Sequence, residues 1–128
     1  MSLEKLFSLS GKKALIAGAS RGIGLAIAKA TAAAGARTVL AARSGDALAT
    51  EVAALNKAGY EAEALALDVT SEQSIDAAAE AHGDIDILVN VAGTNIRKRF
   101  EDYTQEEYER IMQTNLHGIV RLTQKVGA

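Results

Sequence analysis

"ALIAGASRGIGLAIAKA", residues 14–30, joins a short apolar run to a second apolar stretch of different rhythm through Gly18, Gly22 and Gly24. The first part belongs to "KKALIA" (12–17), which lacks the polar alternation of a half-exposed strand and reads as a strand covered on both faces. The second part places Ile23, Ile27, Ala30 and Ala34 on one face of a helix running from Gly22 to Ala34. A turn between such elements needs residues that accept positive φ, and a missing Cβ lets an anion approach the backbone. The amides that open the helix lie at the positive end of its dipole, a setting for a pyrophosphate. A tight turn with close helix packing is the other reading of the same glycines.

The strand–helix alternation continues outward from this stretch. Three more apolar runs, "RTVLAA" (37–42), "EALALD" (63–68) and "DILVNV" (86–91), read as strands covered on both faces. Between them, Asp46 to Ala58 carries Leu48, Val52 and Leu55 at helical spacing, and Ser71 is placed to cap a helix reaching about Ala81, with Gly83 after it. This order predicts right-handed βαβ units and hence an α/β fold, a doubly wound parallel sheet. Beyond the fourth strand, a polar stretch from Thr94 to Thr104 leads into a long helical pattern from Gln105 to about Val126. Its expected apolar face carries Tyr108, Ile111, Met112, Asn115, Ile119 and Leu122. An unsatisfied amide on that face would cost on the order of 1–3 kcal/mol, so Asn115 is expected to have a fixed hydrogen-bond partner. The sheet is expected to stop at four strands within a single domain, residues 1–128.

Composition narrows the function classes. The chain has 128 residues, 48% hydrophobic and 23% charged, enough to bury one core without cross-links. A net charge of −2, from 14 basic and 16 acidic residues, supplies no global field for nucleic acid or an anionic membrane, so any anion must be bound locally. The absence of cysteine removes disulfides and thiolate metal sites, and the two histidines, His82 and His117, are too far apart in sequence to suggest zinc. The N-terminus has no apolar signal-like run, and no segment is long enough for a membrane span. The expectation is a cytoplasmic protein whose partner is a small-molecule substrate, without nucleic acid, membrane or metal.

The spacing Gly18-x-x-x-Gly22-x-Gly24 resembles that of the short-chain dehydrogenase/reductase family, and three further stretches fit that family in order. Asp68-Val69 matches the pair whose acid contacts the adenine amino group in relatives. "NVAG", Asn90 to Gly93, resembles the family's N-N-A-G, with Val91 in place of the second Asn. "TNLHG" puts Asn115 where the family has its catalytic-site asparagine. The resemblance covers nearly the whole chain. It implies a Rossmann-like sheet of order 3-2-1-4-5 cut after strand four, an NAD(P) cofactor and hydride transfer with an alcohol or carbonyl. Carried over residue by residue, it implies cofactor contacts from Gly18, Ser20, Arg21, Gly22, Ile23, Gly24, Arg43, Asp68, Val69, Asn90, Ala92 and Gly93, and a catalytic role for Asn115. The bottom-up alternatives are a capping role for Asp68 and a structural tie from helix to loop for Asn115.

An NAD site usually carries an acid about 20 residues past the glycines, at the end of the second strand. Here "LAARSGD" puts Ala42 and Arg43 there. A guanidinium pairs bidentately with a 2′-phosphate, and Arg21 adds a second charge, so NADP is favoured with NAD as the alternative. Relatives also use a serine and a Tyr-x-x-x-Lys pair, whose lysine favours the phenolate from the same helical face. Four residues after Tyr60, Tyr103 and Tyr108 stand Ala64, Glu107 and Met112, so this chain contains no such pair. Two readings follow: the nucleotide-binding part of a longer NADP-dependent oxidoreductase, or a nucleotide-binding half-domain without turnover. A methyltransferase-like fold for an adenosyl cofactor is disfavoured by Arg43 and "NVAG". Arg97-Lys98-Arg99 reads as solvated charge, with attraction of a carboxylate substrate such as a sugar acid as the other reading. The fourth strand would be an apolar edge and the last helix would lose neighbours, so a homo-oligomer built on that helix is expected.

Overall fold

A computed structural model describes residues 1–128. Four parallel strands form one sheet in the order β3-β2-β1-β4: β1 (Lys13–Ala17), β2 (Arg37–Ala42), β3 (Ala62–Ala66) and β4 (Ile87–Asn90). The connecting helices are α2 (Gly22–Ala33), α3 (Gly45–Lys57) and α4 (Glu72–Ala81), with a short α1 (Leu3–Phe7) ahead of the sheet. Ser71 accepts from the Ser74 N–H at 3.2 Å and so caps α4, satisfying one donor that the helix leaves open. After β4 the chain makes a single 3₁₀ turn (Phe100–Asp102) and then a continuous helical rod: α5 (Gln105–Met112), a π turn (Gln113–His117) and α6 (Gly118–Val126).

The core has two layers, one on each face of the sheet. On one side Ile16 and Leu40 pack against Ala28 and Ala32 of α2 and Leu48 and Leu55 of α3. On the other, Leu15 and Val39 meet Ile75 and Ala78 of α4 and Leu122 of α6. Full burial on both faces holds only for β1, where every residue is buried, and for the middle four residues of β2, whereas β3 and β4 are largely half-buried or exposed. The expectation of four doubly covered strands is therefore corrected. The flanking strands lie at the sheet's edges, and β3 accordingly carries the charged Glu63 mid-strand.

Two helical faces also differ from the expectation. α2 buries Gly24, Ala28, Thr31 and Ala32, while Ile23 is 72% exposed and Ala30 is exposed. Alanine lets the helix lie close to the sheet on the side where the side chains are smallest, so Ile23 is left outside. In the rod, the stripe expected of an unbroken α-helix is interrupted by the π turn, which inserts a residue without ending the helix. Leu122 is fully buried, Ile111, Met112 and Ile119 are half-buried, and Asn115 is exposed. The exposed apolar groups are Tyr108, Leu116 and Val120. No helix is long and apolar enough to cross a membrane.

Candidate functional site

β1 ends at Ala17, and the chain turns through Gly18 to Arg21 into α2. The turn is pinned at both sides: the N–H groups of Gly18 and Ala19 donate to the Ala41 carbonyl at 2.8 and 3.0 Å, and those of Val91 and Ala92 donate to the Ala17 carbonyl at 2.9 and 2.8 Å. Gly18 adopts φ +97°, and a Cβ there would sit 2.6 Å from the Ala92 nitrogen. A Cβ on Gly24 would overlap the Gly18 carbonyl, so these two glycines are what let the helix start directly over the strand end. Gly22, at φ +57°, has nothing within 4 Å of where its Cβ would be. The backbone is thus open to approach at that position. Arg21, the N-cap, provides no side-chain hydrogen bond to α2, and the N–H groups of Gly22, Ile23 and Gly24 make no backbone hydrogen bond. They face outward as free donors at the positive end of a helix dipole.

The turn forms one wall of a cleft of about 650 Å³ along the carboxyl ends of the strands. Gly18, Ser20, Arg21, Gly22, Ile23 and Gly24 line it from the turn, and Arg43 lines it from the end of β2. Asp68 and Val69 reach it from the end of β3, and Ala92 and Gly93 from the end of β4. Of the residues singled out from the sequence, Asn90 and Asn115 do not line the cleft. Asn90 donates from Nδ2 to the Thr123 hydroxyl at 3.2 Å, tying β4 to α6. Asn115 uses both ends of its amide on one residue: Oδ1 accepts from the Thr94 N–H at 2.7 Å, and Nδ2 donates to the Thr94 carbonyl at 2.8 Å. Its fixed partner is the backbone just past Gly93, where a Cβ would lie 3.3 Å from Asn115 Oδ1.

Asp68 Oδ1 accepts from the Thr70 hydroxyl at 2.6 Å and from the Thr70 N–H at 2.9 Å. These hydrogen bonds, the hydroxyl first, hold its carboxyl below the ordinary value of 3.8, with the Arg43 charge acting in the same direction against a small desolvation. Asp68 is therefore a carboxylate at neutral pH and organises its own loop while facing the cleft. The sequence reading missed Thr70, Thr94, Arg110 and Thr114 as lining residues. Arg110 and Thr114 are four apart on one helical face, but nothing in the sequence shows that this face overhangs the cleft. Gly118 was missed as a packing residue: a Cβ there would run into the Val69 carbonyl, which sets how closely the rod approaches the site. Lys98 of the basic run is bound to Glu107 at 2.7 Å and lies 6.0 Å from the Tyr103 ring centre.

A parallel sheet with an open glycine turn and an acid at a strand end defines a dinucleotide-fold protein. The short chain dehydrogenase family model matches residues 12–127, and the chain belongs to that family. It is 38% identical to gluconate 5-dehydrogenase of Gluconobacter oxydans (strain 621H), over 98% of this chain and 51% of that protein. Among solved structures, a gluconate 5-dehydrogenase from Burkholderia cenocepacia J2315 in complex with NADP and tartrate superposes with a TM-score of 0.91 at 32% identity, over 98% of this chain and 51% of that one. A 7α-hydroxysteroid dehydrogenase complexed with NADH and 7-oxo glycochenodeoxycholic acid gives 0.91 at 36% identity, with the same coverage of 98% and 51%. The chain spans about half the length of these relatives.

Proposed function

We propose that the chain is the dinucleotide-binding part of an NADP-dependent oxidoreductase, acting on an alcohol or carbonyl substrate and, in the finer reading, on a sugar acid. The observation that carries the cofactor choice is Arg43, which lines the cleft at the end of β2 where an NAD site would place an acid. When bound, the cofactor supplies or accepts the hydride. The chain's own residues hold it: the free amides of Gly22 to Gly24 fit a diphosphate, Arg43 fits a 2′-phosphate, and Asp68 and Val69 fit the adenine side. Asn115 acts as a positioning residue that fixes Thr94 and with it the floor of the cleft. The sugar-acid reading rests on the gluconate relatives and on Arg97 and Arg99, which make no salt bridge, unlike Lys98. No tyrosine in the chain is followed four residues on by lysine, so this polypeptide binds nucleotide without turning over substrate.

Titration of the 128-residue chain with NADPH and NADH tests the cofactor choice. NADPH should bind more tightly, and Arg43→Asp should reverse the order by removing a phosphate partner and adding a ribose-hydroxyl acceptor. Equal affinities, or tighter NADH binding in the unaltered chain, would sink the assignment. The same proposal includes a homo-oligomer, supported by β4 lying at the sheet edge and by exposed Leu116 and Val120 on the helical rod. Sedimentation should show self-association that Val120→Glu abolishes. A monomer at all concentrations would remove this part.

A further inference from the structure

We infer that Arg110 is a cofactor-binding residue that grips the phosphates common to both dinucleotides from the lip of the cleft opposite the glycine turn. The inference rests on the dinucleotide reading above. Three arginines from three separate elements line the cleft: Arg21 before α2, Arg43 after β2 and Arg110 on α5. None of them makes a salt bridge, although cations on neighbouring segments do: Lys98 with Glu107, Arg121 with Glu72 and Lys125 with Asp76. Glu106, one turn before Arg110 on the same helix, forms no bridge to it. The only acid lining the cleft is Asp68, whose Oδ1 is already held by Thr70.

The placement of the two helices gives Arg110 its role. α2 packs on one face of the sheet through Ala28 and Ala32, while the rod that carries Arg110 packs on the other through Leu122. Arg21, with the open amides beside it, and Arg110 therefore approach the cleft from opposite sides. Three arginines around a cleft that holds one carboxylate, Asp68, leave an excess of positive charge there, and an anion between them removes the remaining repulsion. A guanidinium suits a phosphate because its planar fork donates two parallel hydrogen bonds. Arg43, at the end of β2, reads the feature that distinguishes the two cofactors. Arg110, which lines the same cleft from the rod on the other face of the sheet, acts on what they share.

The test is a fluorescence titration of NADPH and NADH against the 128-residue chain and its Arg110→Gln and Arg110→Lys variants, with circular dichroism to show that each is folded. Glutamine matches arginine closely in helix propensity and the site is exposed, so the fold should be retained. Arg110→Gln should weaken both nucleotides by about tenfold while leaving their ratio unchanged, and should make binding less sensitive to salt. Arg110→Lys should recover part of the loss. Unchanged affinities in a variant of a chain that does bind NADPH would overturn the role of Arg110 and leave the dinucleotide reading intact. A loss confined to NADPH would overturn it too, because Arg110 would then be a 2′-phosphate contact. Failure of the unaltered chain to bind either nucleotide would overturn both.

Discussion

Where the strands begin, the first residues of the two central strands each face a carboxylate: Lys13 meets Asp84 at 2.8 Å and Arg37 meets Glu61 at 3.7 Å. Where the strands finish, Arg21, Arg43 and Arg110 surround an open cleft without a single ion pair. The same sheet thus neutralises charge at one end and leaves it exposed at the other. Pairing at the first end joins elements distant in sequence, since Lys13 also donates its backbone N–H to Asp86 at 2.9 Å. Unpaired charge at the second end does nothing for the fold by itself, which makes sense where an anionic ligand completes the set.

The sharpest way to break this contrast is at Gly24. Its substitution by alanine places a Cβ against the Gly18 carbonyl, and the backbone around Gly18 cannot easily yield, because Gly18 and Ala19 are pinned to Ala41 of β2 and Ala17 to Val91 and Ala92 after β4. Gly24→Ala should destabilise the chain by on the order of 3 kcal/mol in a denaturant titration and abolish nucleotide binding. Retention of both would mean that the turn is looser than described.

Lys13 provides the complementary case. It is only 7% exposed, so Lys13→Ala removes a packed aliphatic stem as well as the partner of Asp84. Asp84 is itself largely exposed, which limits the electrostatic share. A loss of about 1–2 kcal/mol is expected, with nucleotide affinity unchanged. A fall in affinity would show that the two ends of the sheet are coupled.

Much of this contrast could be read from residue order, and some of it could not. The apolar runs and the glycines between them locate all four strands and the turn because both signals are local. The buried face of α2 is not legible, since Ala26, Ala28, Ala30, Ala32, Ala33 and Ala34 leave little contrast between its sides. The π turn is equally silent, because it arises where the rod must present Asn115 to Thr94 and Gly118 to Val69 at once. Arg43 and Asp68 were legible from their positions at strand ends. Arg110 was not, because its place in the cleft depends on how the rod crosses the sheet.

Acid titration sharpens the comparison further. Hydrogen bonding from the Lys13 ammonium lowers the carboxyl of Asp84, that from the Thr70 hydroxyl lowers Asp68, and that from the Lys98 ammonium lowers Glu107. A carboxyl whose folded pKa lies below its unfolded value contributes stability that is present above the unfolded value and lost as pH falls through the folded one. Stability should therefore hold at neutral pH and decline once pH drops below the ordinary carboxylate values of 3.8 for Asp and 4.5 for Glu. Asp84→Asn should make that decline shallower without altering NADPH binding, whereas Asp68→Asn should also weaken binding. Equal slopes in all three chains would remove the link between these hydrogen bonds and acid stability.

The smallest effect is expected at Gly83, which lies between α4 and β4 at the end of the sheet where charge is paired. Unlike Gly18 and Gly22 it does not have positive φ, and a Cβ there would meet only the Ala79 carbonyl at 3.9 Å, an ordinary contact. Its backbone freedom is then a cost carried by the unfolded chain without a matching need in the folded one. Gly83→Ala should stabilise the protein by about 0.4–1 kcal/mol by narrowing the unfolded ensemble, and leave nucleotide affinity unchanged. Read in one denaturant series with Gly24→Ala, it separates glycine that the site requires from glycine that merely ends a helix. Destabilisation at Gly83 would place a steric demand at the paired end of the sheet and remove that distinction.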